Sequence, residues 1–230
     1  MKKAFTIAEV LITLGVIGVV AALTIPSLIE NHKKKVVAAK LQKFYNTFTT
    51  ALELSKSDHG DCSEWSYSYE DKNCQSNSEY KAQFFSEYII KYMKGIKECG
   101  PEVRKCANII VPEEISHYNP NGFSYLRYIF SDGSCFGMTI GGIGIDKRSA
   151  NIHGFFDYNC GNPPNKAGRD VFVFWTIPGH YPFQYGNFET KINRVDRDTL
   201  KTLCKNKPVE CGLLIQYDNW EVKEDYPLKL

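Results

Sequence analysis

The chain has no internal repeat, no low-complexity tract and no linker rich in proline, glycine or serine, which sets aside repeat arrays and strings of tethered modules. Charge of either sign is also scarce in excess. The 28 basic and 26 acidic side chains leave a net +2, so nothing electrostatic favours a specific nucleic-acid partner. The Gly-x-Ser-x-Gly elbow, the His-Glu-x-x-His pair and the phosphate-binding glycine loop are missing. The stretch Gly141-Gly142-Ile143-Gly144 lacks a following Lys-Ser/Thr and reads as a turn. His59, His117, His153 and His180 each stand alone in the sequence. No catalytic residue is assigned.

Cysteine is missing from the first 61 residues and then occurs eight times, at Cys62, Cys74, Cys99, Cys106, Cys135, Cys160, Cys204 and Cys211. No Cys-x-x-Cys pair is present and no histidine stands at ligand spacing, so the pattern favours disulfides over zinc. Disulfides in turn place this part of the chain in an oxidising compartment. At Cys135 a strand-end disulfide is favoured over a thiol nucleophile. Eight cysteines leave the connectivity open. The short loops Cys99–Cys106 and Cys204–Cys211 are the first candidates, then Cys62–Cys74 and Cys135–Cys160.

Aromatic residues are plentiful, with 14 Tyr, 14 Phe and 3 Trp, as a sheet-rich core requires. The other abundant feature is an apolar run. From Val10 to Ile29 only glycines, threonines, Ser27 and Pro26 interrupt it. Twenty such residues span about 30 Å as a helix, the thickness of a hydrocarbon core. Basic residues flank both ends, Lys2 and Lys3 before it and His32 to Lys35 after it, so charge does not set the orientation. The cysteines do: they put the N-terminus inside and the large C-terminal part outside the cytoplasm. Pro26 is expected to kink or loosen the helix. Gly15 and Gly18 give small surfaces for neighbouring helices.

Glu9 lies near the start of this run, where an unpartnered carboxylate is costly. Three processing fates are open: a secretory signal cut after Ala22, an uncut anchor, or removal of a very short basic leader. The last fits Met1-Lys2-Lys3-Ala4 followed by Phe5-Thr6-Ile7-Ala8-Glu9, with Glu9 at the fifth mature position. Beyond the run, Val36, Val37, Leu41, Phe44, Tyr45, Phe48, Ala51 and Leu52 recur at helical steps. One helix of about 80 Å is therefore expected from Phe5 to Ser57, apolar all round in its first half and amphipathic in its second. The second half needs a sheet to lie against.

His59-Gly60-Asp61 ends that helix. Ser76 with Glu79 reads as a capping box for a second one ending at Gly95. Strands are expected at 123–130, 135–140, 171–177 and 213–218, the first two joined by a hairpin at Asp132-Gly133. A short helix is expected at Asp198–Lys205, capped by Asp196 or Asp198.

The segment FTIAEVLITLGVIGVVAALTIP resembles the N-terminus of type IV pilins and type II secretion pseudopilins. The resemblance implies an α+β fold, a long N-terminal α-helix packed on an antiparallel β-sheet. It implies a leader (1–4), a transmembrane and assembly half of the helix (5–29), an amphipathic half (30–57) and an exposed disulfide-bonded domain (58–230). It also implies cleavage between Ala4 and Phe5 by a prepilin peptidase, with N-methylation of Phe5. The usual glycine before the cut is alanine here, which predicts slower cleavage. Glu9 and Pro26 would serve assembly, Glu9 by meeting the new amine of a neighbouring chain. The implied partners are other pilin or pseudopilin subunits, an inner-membrane assembly platform and membrane lipid. The implied location is the inner membrane, single-pass, with the C-terminal domain periplasmic or extracellular, and then the filament. FFDYNCGNPPNKAGRDVFVFW and CGLLIQYDNWEVKEDYP resemble, less specifically, the loop-then-strand element and the last strand and tail of a subgroup. The alternatives are a low-copy tip subunit that binds a surface, DNA or secreted cargo, and a membrane-tethered or secreted enzyme.

Asp157, Asn159, Asn165 and Asp170 offer hard oxygen ligands, and Asp157-x-Asn159-x-Gly161 resembles the start of a calcium loop. The later acidic ligand of an EF-hand is absent, and these residues also form ordinary turns. Calcium is the one candidate cofactor.

Overall fold

Helix α1 runs unbroken from Ile7 to His59, 53 residues, in the computed structural model, which describes residues 6–65, 78–99, 115, 125–140 and 150–230. Pro26 sits inside it without ending it. Its buried residues are Val37, Ala38, Leu41, Phe44, Phe48, Ala51 and Ser55, a stripe at three- and four-residue steps confined to the second half. Gly60 closes the helix at φ 79°, a backbone conformation that glycine adopts without a steric cost, and its N–H donates to Lys56 O at 3.0 Å.

Helix α2 covers Ser78–Tyr88 and is followed by a 3-10 turn at Ile90–Tyr92, so the second helix stops short of the expected Gly95. Ser76, the expected cap, lies outside the described residues. Six strands follow: β1 (Ile96–Glu98), β2 (Leu126–Phe130), β3 (Cys135–Ile140), β4 (Ile152–Asp157), β5 (Val171–Ile177) and β6 (Tyr181–Tyr185). They form one sheet in sequence order, with every neighbouring pair antiparallel. The α+β layout, a long N-terminal helix with an antiparallel sheet, is as expected. The turn Ser131–Ser134 joins β2 to β3, with Gly133 at φ 80°.

Alternation along the strands separates two faces. Tyr128, Phe136, Met138, Phe156, Phe172, Phe174 and Phe183 point to α1. Cys135, Phe155, Val171 and Val173 form a smaller cluster with Ile115 on the other face. Phe44 is the hub of the first face, stacked on Phe156 at 4.7 Å and in ring contact with Phe130, Phe136, Phe174 and Phe183. Polar latches fix the helix on the sheet. Lys40 Nζ donates to Tyr158 O at 2.8 Å, Lys43 Nζ meets Asp132 Oδ2 at 2.6 Å, and the buried Tyr185 hydroxyl donates to Leu41 O at 2.9 Å.

The run LLIQYD, expected as a final strand, is instead helical. Helix α3 (Arg197–Asn206), N-capped by Asp196, leads through a 3-10 turn at Pro208–Glu210 into α4 (Cys211–Tyr217). The resemblance of CGLLIQYDNW to a last strand is corrected with it. The Cys204–Cys211 disulfide and the proline turn bring the chain back at a short distance, which suits a helix pair. Helix α4 packs behind β6, and its Gln216 Oε1 accepts the N–H of Tyr185 at 2.8 Å. Pro182 lies in the same outer strand.

Candidate functional site

The N-terminal end of α1 is where the sequence concentrates its functional candidates. Thr6 is the N-cap. Its backbone N–H and its hydroxyl both donate to Glu9 Oε2 at 2.8 Å, and Glu9 N–H donates back to Thr6 Oγ1 at 3.3 Å. This reciprocal box satisfies two donors that a helix start leaves open, and it sets a carboxylate over the positive end of the helix dipole. Ala4 and Phe5 lie outside the described residues. The expectation for Glu9 names no partner within the helix; the signal for Thr6 is the Thr-x-x-Glu spacing before an apolar run, a capping-box signature.

Behind the box, no side chain from Ile7 to Ile29 is buried; Ile7 is 81% and Leu23 76% exposed. The helix is long and apolar enough to cross a membrane. Gly15 and Gly18 have nothing within 4 Å of where a Cβ would stand. Thr13 and Thr24 return their hydroxyls to Val10 O and Val20 O, both at 2.9 Å, so these polar groups are satisfied within the helix.

The loop between β4 and β5 brings Asp157, Asn159, Asn165 and Asp170 together. Asp157 accepts the N–H groups of Asn159 (3.0 Å), Cys160 (2.9 Å) and Gly161 (2.7 Å). Asp170 accepts those of Asn165 and Lys166, both at 2.6 Å. Burial raises both carboxyls above the usual range, and the backbone donors oppose that shift; Asp170 adds to the rise at Asp157. The Oδ1 atoms of Asn159 and Asn165 are buried without a hydrogen-bond donor. Among the described residues no three His, Cys, Asp or Glu side chains gather as a metal cluster. The disulfide Cys135–Cys160 ties this loop to β3.

Of the other cysteines, Cys99 is disulfide-bonded, and Cys74 and Cys106 lie outside the described residues. Cys62 has no disulfide partner among the described residues, and burial pushes its thiol up to about 11. It lines a groove of about 370 Å³ between α1 and the β5–β6 turn, with Tyr45, Glu53, His180, Tyr181 and Phe183. A thiol held that high is not a thiolate at neutral pH. His153 is pushed down to about 4 by burial and then by the charge of Lys81, so it is neutral there. His59 packs its ring against Tyr88 at 4.9 Å. His117 and the glycines at 141–144 lie outside the described residues.

No curated protein and no solved structure matches the chain. Residues 27–230 match a protein family described as a family of unknown function, DUF6613. The match begins inside the apolar run, just after Pro26, and covers the docked half of α1, the sheet and the C-terminal helices. The chain belongs to this family of unknown function, DUF6613.

Proposed function

We propose that the chain is a prepilin-like structural subunit of a pilus or secretion pseudopilus. It is anchored single-pass in the inner membrane by α1, cut before Phe5 by a prepilin peptidase, methylated there and extracted into a helical filament. The observation that carries this reading is Glu9, held by a capping box at the tip of an unburied apolar rod whose far half is sealed under a sheet. Cleavage would leave a cationic amine one residue before Thr6, some 3.8 Å of chain away from the box. Within one subunit that amine competes with Thr6 for the carboxylate. Between subunits it offers Glu9 an opposite charge in a desolvated setting, where pairing is strongly favoured and an unpaired charge is heavily penalised. Glu9 thus sets axial register, the apolar rods form the filament core, and the disulfide-bonded domain faces outward.

N-terminal mass spectrometry of the mature protein tests the class. N-methyl-phenylalanine at Phe5 supports it; an intact leader or a start at Leu23 overturns it. The mechanism has a separate test: Glu9→Ala is expected to be cleaved normally yet to leave assembly, read as sheared filament, reduced by an order of magnitude or more. Normal assembly of that variant overturns the register role.

The groove lined by Tyr45, Tyr181 and Phe183 favours a second reading, a low-copy tip subunit that binds through its exposed domain. Quantitative mass spectrometry of sheared filaments separates the two by copy number. Calcium in the 157–170 loop is a subsidiary proposal, carried by the two buried Asn oxygens that lack donors. The five backbone N–H bonds to Asp157 and Asp170 already hold the turn without an ion. Added calcium is expected to raise the melting temperature and a chelator to lower it; identical melts in both overturn the site.

A further inference from the structure

Where α1 leaves its apolar run, a groove of about 460 Å³ opens between the helix and the C-terminal tail. Lys34 and Lys35 form one wall; Trp220, Glu221, Val222 and Glu224 form the other. The apolar run ends at Ile29, so the two lysines lie five and six residues on, about 8 Å further along the helix axis. A headgroup layer is about 5–8 Å thick on each side of the hydrocarbon. The lysine end of the groove therefore stands at the outer edge of the headgroup layer if the rod fills the bilayer core, while its far end, at Gln42, lies beyond it.

Its charges balance, two ammonium groups against two carboxylates, so it is not built as an anion trap. Among the described residues, no ion pair or side-chain hydrogen bond engages Lys35, Glu221 or Glu224. Lys34 reaches Glu30 on its own helix at 3.7 Å. Near a bilayer, unpaired charges are costlier than in bulk water. A ligand that carries both signs relieves them on both walls.

The tail wall is constructed rather than incidental. Asn219 and Trp220 hold φ angles of 56° and 64°, two successive left-handed residues that are not glycine. Trp220 repays this by packing on Tyr45 at 5.0 Å and Tyr185 at 6.1 Å. On the far side Arg197 grips Asp218 and Asp225, each at 2.7 Å, fixing the irregular stretch of tail that bears Glu221 and Glu224. A tryptophan is also the residue that favours the membrane–water boundary.

We infer that this groove seats the headgroup of a bilayer phospholipid that bears both a phosphate and a primary ammonium, phosphatidylethanolamine. Lys34 and Lys35 take the phosphate, and Glu221 and Glu224 accept from the ammonium. The inference rests on the membrane-anchored reading above. It gives the domain a fixed seat on the leaflet before extraction.

The test uses the full, unprocessed chain in nanodiscs of equal parts phosphatidylethanolamine, phosphatidylcholine and phosphatidylglycerol, released for native mass spectrometry. Phosphatidylethanolamine is expected to be retained roughly five- to tenfold over either competitor. The pairs Lys34→Gln with Lys35→Gln, and Glu221→Gln with Glu224→Gln, are each expected to abolish that preference at unchanged circular dichroism. Should either pair unfold the chain, the single variants Lys35→Gln and Glu224→Gln carry the same readout. Equal retention, a preference for phosphatidylglycerol, or a preference that survives either pair overturns the inference. Stabilisation by inorganic phosphate without lipid retention assigns the groove to a free anion and also overturns it. Carbonate extraction keeps the two failures apart. A chain that leaves the bilayer overturns the anchored reading itself, whereas an inserted chain without lipid preference overturns only the groove.

Discussion

At Asp132 one carboxylate closes a turn and anchors a helix. Its Oδ1 accepts the N–H and hydroxyl of Ser134, at 3.0 and 2.6 Å, while Oδ2 meets Lys43. Burial pushes its pKa up, but the bonds from Lys43 and Ser134 outweigh this and hold it at about 2, below the ordinary 3.8. A carboxyl lowered on folding stabilises the fold above its unfolded pKa and loses that contribution as pH falls through the folded one. Asp132→Asn is therefore expected to cost roughly 0.5–1 kcal/mol at pH 7. Melts of the two proteins should converge as pH drops from about 4 to 2; a gap that stays constant over that window refutes the assignment. Lys43 itself illustrates what sequence periodicity misses. It sits off the apolar stripe of α1, yet its long stem carries the ammonium to a turn 89 residues on.

Among the elements, α1 depends on the sheet through one ring. Phe44 is 1% exposed and stands among the rings of three central strands. Phe44→Ala is expected to cost about 3–5 kcal/mol, because neighbouring rings held by the ladder cannot collapse into the space. Urea denaturation of the domain measures it; a loss below 1 kcal/mol overturns the central role given to this contact. The strands at 135–140 and 171–177 are legible from their aromatic and β-branched runs, and the helix stripe is legible from its spacing. Strand β4 hides behind Gly154, whose missing Cβ lets Gly137 O and the Phe174 ring come close; a glycine inside IHGFFD reads as a break. Strand β6 hides behind Pro182, which is acceptable only at a sheet edge. The error at LLIQYD has a different origin. Its residues suit a strand, and two constraints decide otherwise: the local Cys204–Cys211 bond and the long-range close seat of Gly212 on the Tyr185 ring. Glu9 is legible as a candidate from its place in the apolar run, and Thr6, three residues earlier, is the residue that fixes its geometry.

For the whole molecule the division of labour falls near residue 30. Upstream, no described side chain is buried; downstream, the stripe from Val37 to Ser55 is closed over by the domain. A chain beginning at Glu30 is thus expected to fold with stability within roughly 0.5 kcal/mol of the full chain in detergent, and without the need for detergent. Circular dichroism melts with light scattering check both claims, and a loss of several kcal/mol would show that the rod contributes to the fold.

The outer margin of the sheet bears on how copies of this chain can join. One rung of β6 has no donor because Pro182 occupies it, and another donor is already spent on Gln216. Strand-by-strand recruitment at that border is refused, the route by which sheets run on into amyloid. Pro182 and Gln216 thus hem this border of the sheet, so the filament proposed above would have to join its copies through the unburied rod of α1 and not through added strands.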